Sequence, residues 1–229
     1  MAALLGFAGS VAAQGLRAES YSDPNTGIDF QRYQKGSYSF GITVPETMGS
    51  DFIGQMVIPT TDGEGWGAVS LKGGMLNGLL FVAWADGDEV ITTFRVAGSY
   101  ANPDVYSDTE VSALPITNGT FINSTHISYT FVCEGCIVEK MTSITNESPV
   151  LGWAIADTNP TTPSDPGSAL SYHAAGFGQF GVDIEAAKSA KYAQWASWAS
   201  APTPGTGNGG GSNGTVPGNG TTVPPTTSN

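Results

Sequence analysis

Tyr38, Phe40, Ile42 and Val44 alternate with Ser39, Gly41 and Thr43, a period of two that puts apolar side chains on one face of a half-buried strand. The same texture recurs in short runs along the chain, and it constrains the fold more than any single residue does. Residues 79–85 and 90–96 read as strands joined through Asp86-Gly87-Asp88, a hairpin signal because glycine accepts positive φ. Further strands are predicted over residues 52–58, 66–71, 125–133 and 150–156. With 31 Gly and 14 Pro in 229 residues the strands are interrupted often, so an all-β sandwich is expected and a long-helix bundle is excluded. One C-terminal helix is predicted over residues 184–198, capped by Asp183, with Trp195 and Trp198 on one face at i, i+3.

Residues 2–13 form a short apolar run without a charge, with Val11 and Ala13 at the −3 and −1 positions of a signal-peptidase site. Residues 1–13 are therefore read as a signal peptide, and the protein as secreted and extracellular. Sequons at Asn118, Asn123, Asn146, Asn213 and Asn219 agree, the first three falling within the folded span as candidate glycosylation sites. Residues 201–229 carry no charge and no aromatic ring, and cannot bury enough apolar surface to offset their ordering entropy. They are read as a disordered Gly/Pro/Thr-rich linker, which leaves residues 14–200 for the domain. The balance of 20 Asp+Glu against 8 Lys+Arg, a net charge of −12, repels polyanions. Nucleic-acid and membrane partners are accordingly not expected, and the chain is expected to be a monomer.

The chemistry-bearing residues are few. His126 and His173 are the whole histidine complement, so multi-histidine metal sites are excluded. Cys133 and Cys136 form a CxxC, read most simply as a local disulfide in a secreted chain; the alternative is a zinc site completed by both histidines. Ile137 follows the second cysteine, which excludes the CxxCH of covalent haem attachment. No GxSxG nucleophile elbow appears ahead of the Gly-rich segment over residues 201–229, there is no HExxH, and no pair among the acids is singled out for glycoside hydrolysis. Met75 stands apart because Gly73 and Gly74 precede it, stripping side chains from an approach that a flat ligand could use. Its thioether is either core filler or a soft ligand suited to haem iron. His173 occupies a comparable loop, followed by Gly176, Gly178 and Gly181.

Motifs spread in order along the chain resemble the haem-b cytochrome domain of fungal cellobiose dehydrogenase and its relatives. They are Asp23-Pro-Asn-Thr-Gly27, Phe52-Ile-Gly54, WGAVSLKGGM from Trp66 to Met75, and Leu79-Leu-Phe-Val-Ala-Trp84. Later come Asn123-Ser-Thr-His126, the CxxC, Pro163-Ser-Asp-Pro166 ahead of His173, and GVDIEAAKSAKY from Gly181 to Tyr192. The resemblance implies an immunoglobulin-like antiparallel sandwich with non-covalent haem b held at one end. It implies axial ligation by Met75 and His173, a hydrogen bond from Tyr100 to a haem propionate, a structural His126, and a Cys133–Cys136 disulfide. Lys72 departs from the pattern by placing a cation near the Met75 loop. The function implied is one-electron transfer, with no catalysis of its own, from a flavin sugar dehydrogenase to a copper lytic polysaccharide monooxygenase. A different class of function stays open on the residues alone: a carbohydrate-binding sandwich without haem, stacking sugars on Trp66, Trp84 or Trp153.

Overall fold

The computed structural model describes residues 16–199. The expected signal peptide over residues 1–13, the expected linker over residues 201–229 and the sequons at Asn213 and Asn219 lie outside the described residues. In chain order the strands are β1 Glu19–Ser22, β2 Asp29–Lys35, β3 Tyr38–Pro45, β4 Phe52–Pro59, β5 Trp66–Ser70, β6 Leu80–Asp86 and β7 Glu89–Val96. They continue as β8 Asp104–Val105, β9 Ser112–Pro115, β10 Phe121–Ile122, β11 His126–Glu134, β12 Val150–Ala156 and β13 Gly176–Gly181. Helix α1 Ile184–Ala187, strand β14 Lys188–Ser189 and helix α2 Tyr192–Ala196 complete the described chain.

Two sheets face each other, as the alternation predicts. One runs β1-β2-β3-β4-β11-β10, with β9 on β11 and β14 on β3; the other runs β13-β12-β5-β6-β7-β8. All pairings are antiparallel except the two-residue β14–β3 contact. The Asp86-Gly87-Asp88 signal is the β6–β7 hairpin, where Asp86 pairs with Glu89 and Gly87 takes φ +59°. Between the sheets, Phe40, Phe52, Phe81, Tyr129 and Phe131 are fully enclosed, with Phe81 and Phe131 stacked at 4.3 Å. Each such ring contributes about 1.5–3 kcal/mol by leaving water. Cys133 and Cys136 are joined as a disulfide at the end of β11, which removes both from any metal site.

Two expectations are corrected here. Strand β3 is buried on both faces, not half-buried: Phe40 and Ile42 enter the inter-sheet core, while Gly41 packs against Phe30 and Thr43 donates to the Ala187 carbonyl. A second apolar cluster of Ile28, Phe30, Ile53, Ile116, Val132 and Trp195 covers that outer face. The single helix over residues 184–198 is likewise two short helices, because Lys188 and Ser189 leave the helix to pair with Val44 and Pro45. Trp195 is buried and Trp198 is exposed beyond the end of α2, so the pair does not act as one face. Asp183 does cap α1, its carboxylate accepting from the Ala186 N–H at 3.1 Å. Replacing Asp183 by Ala is expected to cost about 1 kcal/mol; an unchanged denaturation midpoint would contradict the capping role.

Candidate functional site

Strands β5, β6 and β12 build a cavity on the outer face of the six-stranded sheet. In β5, Val69 points into the inter-sheet core while Trp66, Ala68 and Ser70 point the other way. Their cross-strand partners Val82 and Leu80 on β6, and Ala154 and Gly152 on β12, share that face. The middle of the surface is thus Ala68, Ser70, Gly152 and Ala154, a shallow floor of small side chains framed by Trp66, Leu80, Val82 and Phe177. Loops rise on either side to enclose about 800 Å³. The resemblance implies haem held at one end of the sandwich; this cavity lies over a sheet face, where small residues hollow it and loops wall it.

Met75 comes from the loop between β5 and β6, and His173 from the loop that enters β13; both line this cavity, as do Gly73, Gly74 and Tyr100. The Met75 loop is fastened by a Leu76–Ala97 bridge, by the Asn77 N–H to the Ala97 carbonyl, and by the Ser70 hydroxyl to the Gly74 carbonyl. Gly73 takes φ +89°, and its backbone crosses β12 at Gly152. Its glycine is therefore demanded by backbone conformation and by β12, whereas Gly74 faces open space. Lys72 does bring a cation to this loop, but does not line the cavity. Its ammonium donates to the carbonyls of Asn77 and Lys140, closing the back of the loop.

His173 sits among rings: Tyr172 at 4.5 Å, Phe177 at 4.8 Å and the Trp66 edge at 6.4 Å. The Trp66 indole N–H donates to the Ser171 hydroxyl, which donates to the Thr158 carbonyl, so the approach to His173 is tied to the sheet. The buried Nδ1 of His173 has no hydrogen-bond partner among the described residues. Tyr100 stands at the rim, exposed, as do Tyr172 and Phe177.

Among the described residues, no Asp, Glu, Lys or Arg side chain lines the cavity, so none of them places there the carboxylate pair that glycoside hydrolysis needs. Trp84 is fully enclosed, and Trp66 and Trp153 reach only the cavity wall, so none of the tryptophans on which the sugar-stacking alternative depended stands open on the surface. Trp153 stacks instead on Tyr38, whose hydroxyl donates to the Ala68 carbonyl and whose ionisation is pushed up by burial. His126 lies elsewhere, at the start of β11, against Phe121 and Thr125. Asn118, Asn123 and Asn146 are exposed and do not line the cavity; the side-chain Oδ1 of Asn123 accepts from the N–H groups of Thr125 and His126. The sequence reading missed Tyr172, Phe177, Gly152 and Arg95. The signals were present as small residues alternating within β12 and as a lone arginine in the apolar strand β7.

Comparison with known proteins agrees with this architecture. The family model described as the cytochrome domain of cellobiose dehydrogenase matches residues 21–194. The cytochrome domain of Myriococcum thermophilum cellobiose dehydrogenase superposes with a TM-score of 0.71 at 32% identity, over 80% of this chain and 96% of that one. The cytochrome b domain of pyranose dehydrogenase from Coprinopsis cinerea gives 0.69 at 30% identity, over 79% and 95%. The pyrroloquinoline quinone-dependent pyranose dehydrogenase of Coprinopsis cinerea is 35% identical over 81% of this chain, a stretch covering 26% of that protein. With family model, superposition and sheet architecture in agreement over nearly all the described residues, this chain belongs to the family of cytochrome domains of cellobiose dehydrogenase.

Proposed function

We propose that this chain binds haem b non-covalently between Met75 and His173. In this reading it is a secreted monomer that carries single electrons from a flavin-dependent sugar dehydrogenase to a copper lytic polysaccharide monooxygenase. The observation that carries the reading is the arrival of one thioether and one imidazole, from separate loops, at an apolar cavity that no charged side chain of the described residues lines. The donor set suits the group: a soft sulfur and a nitrogen, on a ring whose Nδ1 is not committed to the protein. Held by Met75 and His173, haem would supply one-electron chemistry.

The remaining residues prepare the place. Ala68, Ser70, Gly152 and Ala154 leave a flat floor, and Leu80, Val82 and Trp66 keep water from it. Tyr100 would donate its hydroxyl to a propionate at the rim. A sugar-oxidising donor is supported by the names of the relatives, which are a cellobiose and a pyranose dehydrogenase. Because one relative depends on pyrroloquinoline quinone, a quinone-dependent sugar dehydrogenase is the second reading for the donor.

Titrating the purified chain with ferric haem tests the reading. We expect stoichiometric uptake with a sharp Soret band and split visible bands after dithionite. A chain that stays colourless and takes up no haem would overturn it, and retention on a glycan column would then favour the sugar-binding alternative.

A further inference from the structure

Arg95 is among the largest fully buried side chains of the protein, a charged group enclosed as completely as the core aromatics. It lies directly opposite Leu80 in the β6–β7 pairing and so shares the face on which Leu80 lines the cavity. Its guanidinium reaches two loops at once. Nη1 donates to the Pro103 carbonyl at 3.1 Å, on the loop that carries Tyr100. Nη2 donates to the carbonyls of Pro166 at 2.6 Å and Ser168 at 2.8 Å, on the segment that leads into His173. Nε donates to the Thr93 hydroxyl at 3.2 Å. No carboxylate is among these partners. Asp165 and Asp104 attract the charge without bonding to it, and burial lowers the pKa of the guanidinium from its ordinary value. A cation in this position is costly unless its donors find partners, and the planar fork places three of its four hydrogen bonds on backbone carbonyls that a lysine could not span together. On the exposed side, the Asn102 amide donates to the Leu170 carbonyl at 2.9 Å and joins the same two loops again.

We propose that Arg95 is a positioning residue that fixes the loop bearing His173 relative to the loop bearing Tyr100, and that its buried charge raises the reduction potential of the group held between them. The second half rests on the haem reading above; the first does not. The charge argument is that oxidised haem iron carries one more positive charge than reduced iron, so a buried cation that Asp165 and Asp104 attract but do not pair with disfavours the oxidised state.

The test uses the full chain and the variants Arg95→Lys, Arg95→Met and Asn102→Ala, with Arg32→Met as a control from the other sheet. In haem-free protein, amide hydrogen exchange across residues 166–173 is expected to speed up about tenfold or more in both Arg95 variants, and by less in Asn102→Ala. After haem is added, affinity is expected to fall about tenfold or more in both Arg95 variants, the range seen when an outer partner of a metal ligand is lost. The midpoint potential is expected to fall in Arg95→Met and to stay nearer wild type in Arg95→Lys, a split that a purely structural role would not produce. Wild-type exchange in the Arg95 variants would overturn the positioning role. An unchanged potential in Arg95→Met would overturn the charge role. Should Arg95→Met fail to fold, Arg95→Lys and Asn102→Ala decide the positioning role, and wild-type exchange in both of them overturns it. A wild-type chain that takes up no haem defeats the cofactor reading alone, since exchange in the haem-free variants still decides the first half.

Discussion

His173→Ala is expected to fold as the wild type does and to lose its haem. The side chain lies in a loop, and its buried Nδ1 has no partner among the described residues, so its removal breaks no hydrogen bond there. What goes is ring contact with Trp66, Tyr172 and Phe177, two of which are already exposed at the rim. The stability of haem-free protein should therefore change by less than about 1 kcal/mol. Haem affinity should drop by more than the roughly 10–100-fold that loss of an outer partner costs a metal site, because here an axial ligand itself is gone. Met75→Ala should act on the same complex more gently, leaving haem bound but high-spin through the remaining imidazole. Absorbance and spin-state spectra, read beside thermal unfolding of the haem-free variants, separate lost ligation from lost fold. A His173→Ala protein with the wild-type reduced spectrum would assign the nitrogen ligand elsewhere.

The second large effect comes from a residue with no functional atoms. Gly152 faces the cavity from β12 where the Met75 loop crosses the strand, and a Cβ there would overlap the backbone carbonyl of Gly73. The obstacle is main chain, held by φ +89° at Gly73 and packed on Val150, and cannot swing aside as a side-chain tip could. Gly152→Ala is expected to lose roughly 1–3 kcal/mol, as overpacked sites do. It should also displace the loop that presents Met75. The expected signature is a lowered unfolding midpoint together with a partly high-spin haem complex, although the substitution removes no ligand. Wild-type values for both would show that the crossing has room for a Cβ.

These two residues differ in how far they can be read in advance. His173 and Met75 were singled out by the motifs around them and line one cavity, and β12 falls over residues 150–156, where a strand was expected. The β6–β7 hairpin was equally plain, since its turn chemistry lies within three adjacent residues. Strand β13 was not legible. Its sequence GFGQFG carries little strand propensity, and it exists because it pairs with β12 and because Phe180 stacks on Tyr33 at 4.3 Å. The break between α1 and α2 was hidden for the same reason. Nothing local interrupts the helical pattern at Lys188; the edge of β3 claims it.

The sequence by itself determined the alternation, the turns, the Asp183 cap and the residue types able to grip a soft metal, all of which depend on neighbours along the chain. Tertiary structure alone decided that Met75, Tyr100 and His173 meet over one sheet face, that Gly152 must stay bare, and that Arg95 ties two loops together. The division follows from the range of the forces: backbone preference and capping act within a few residues, whereas pairing and burial join segments whose separation in sequence leaves no periodic trace.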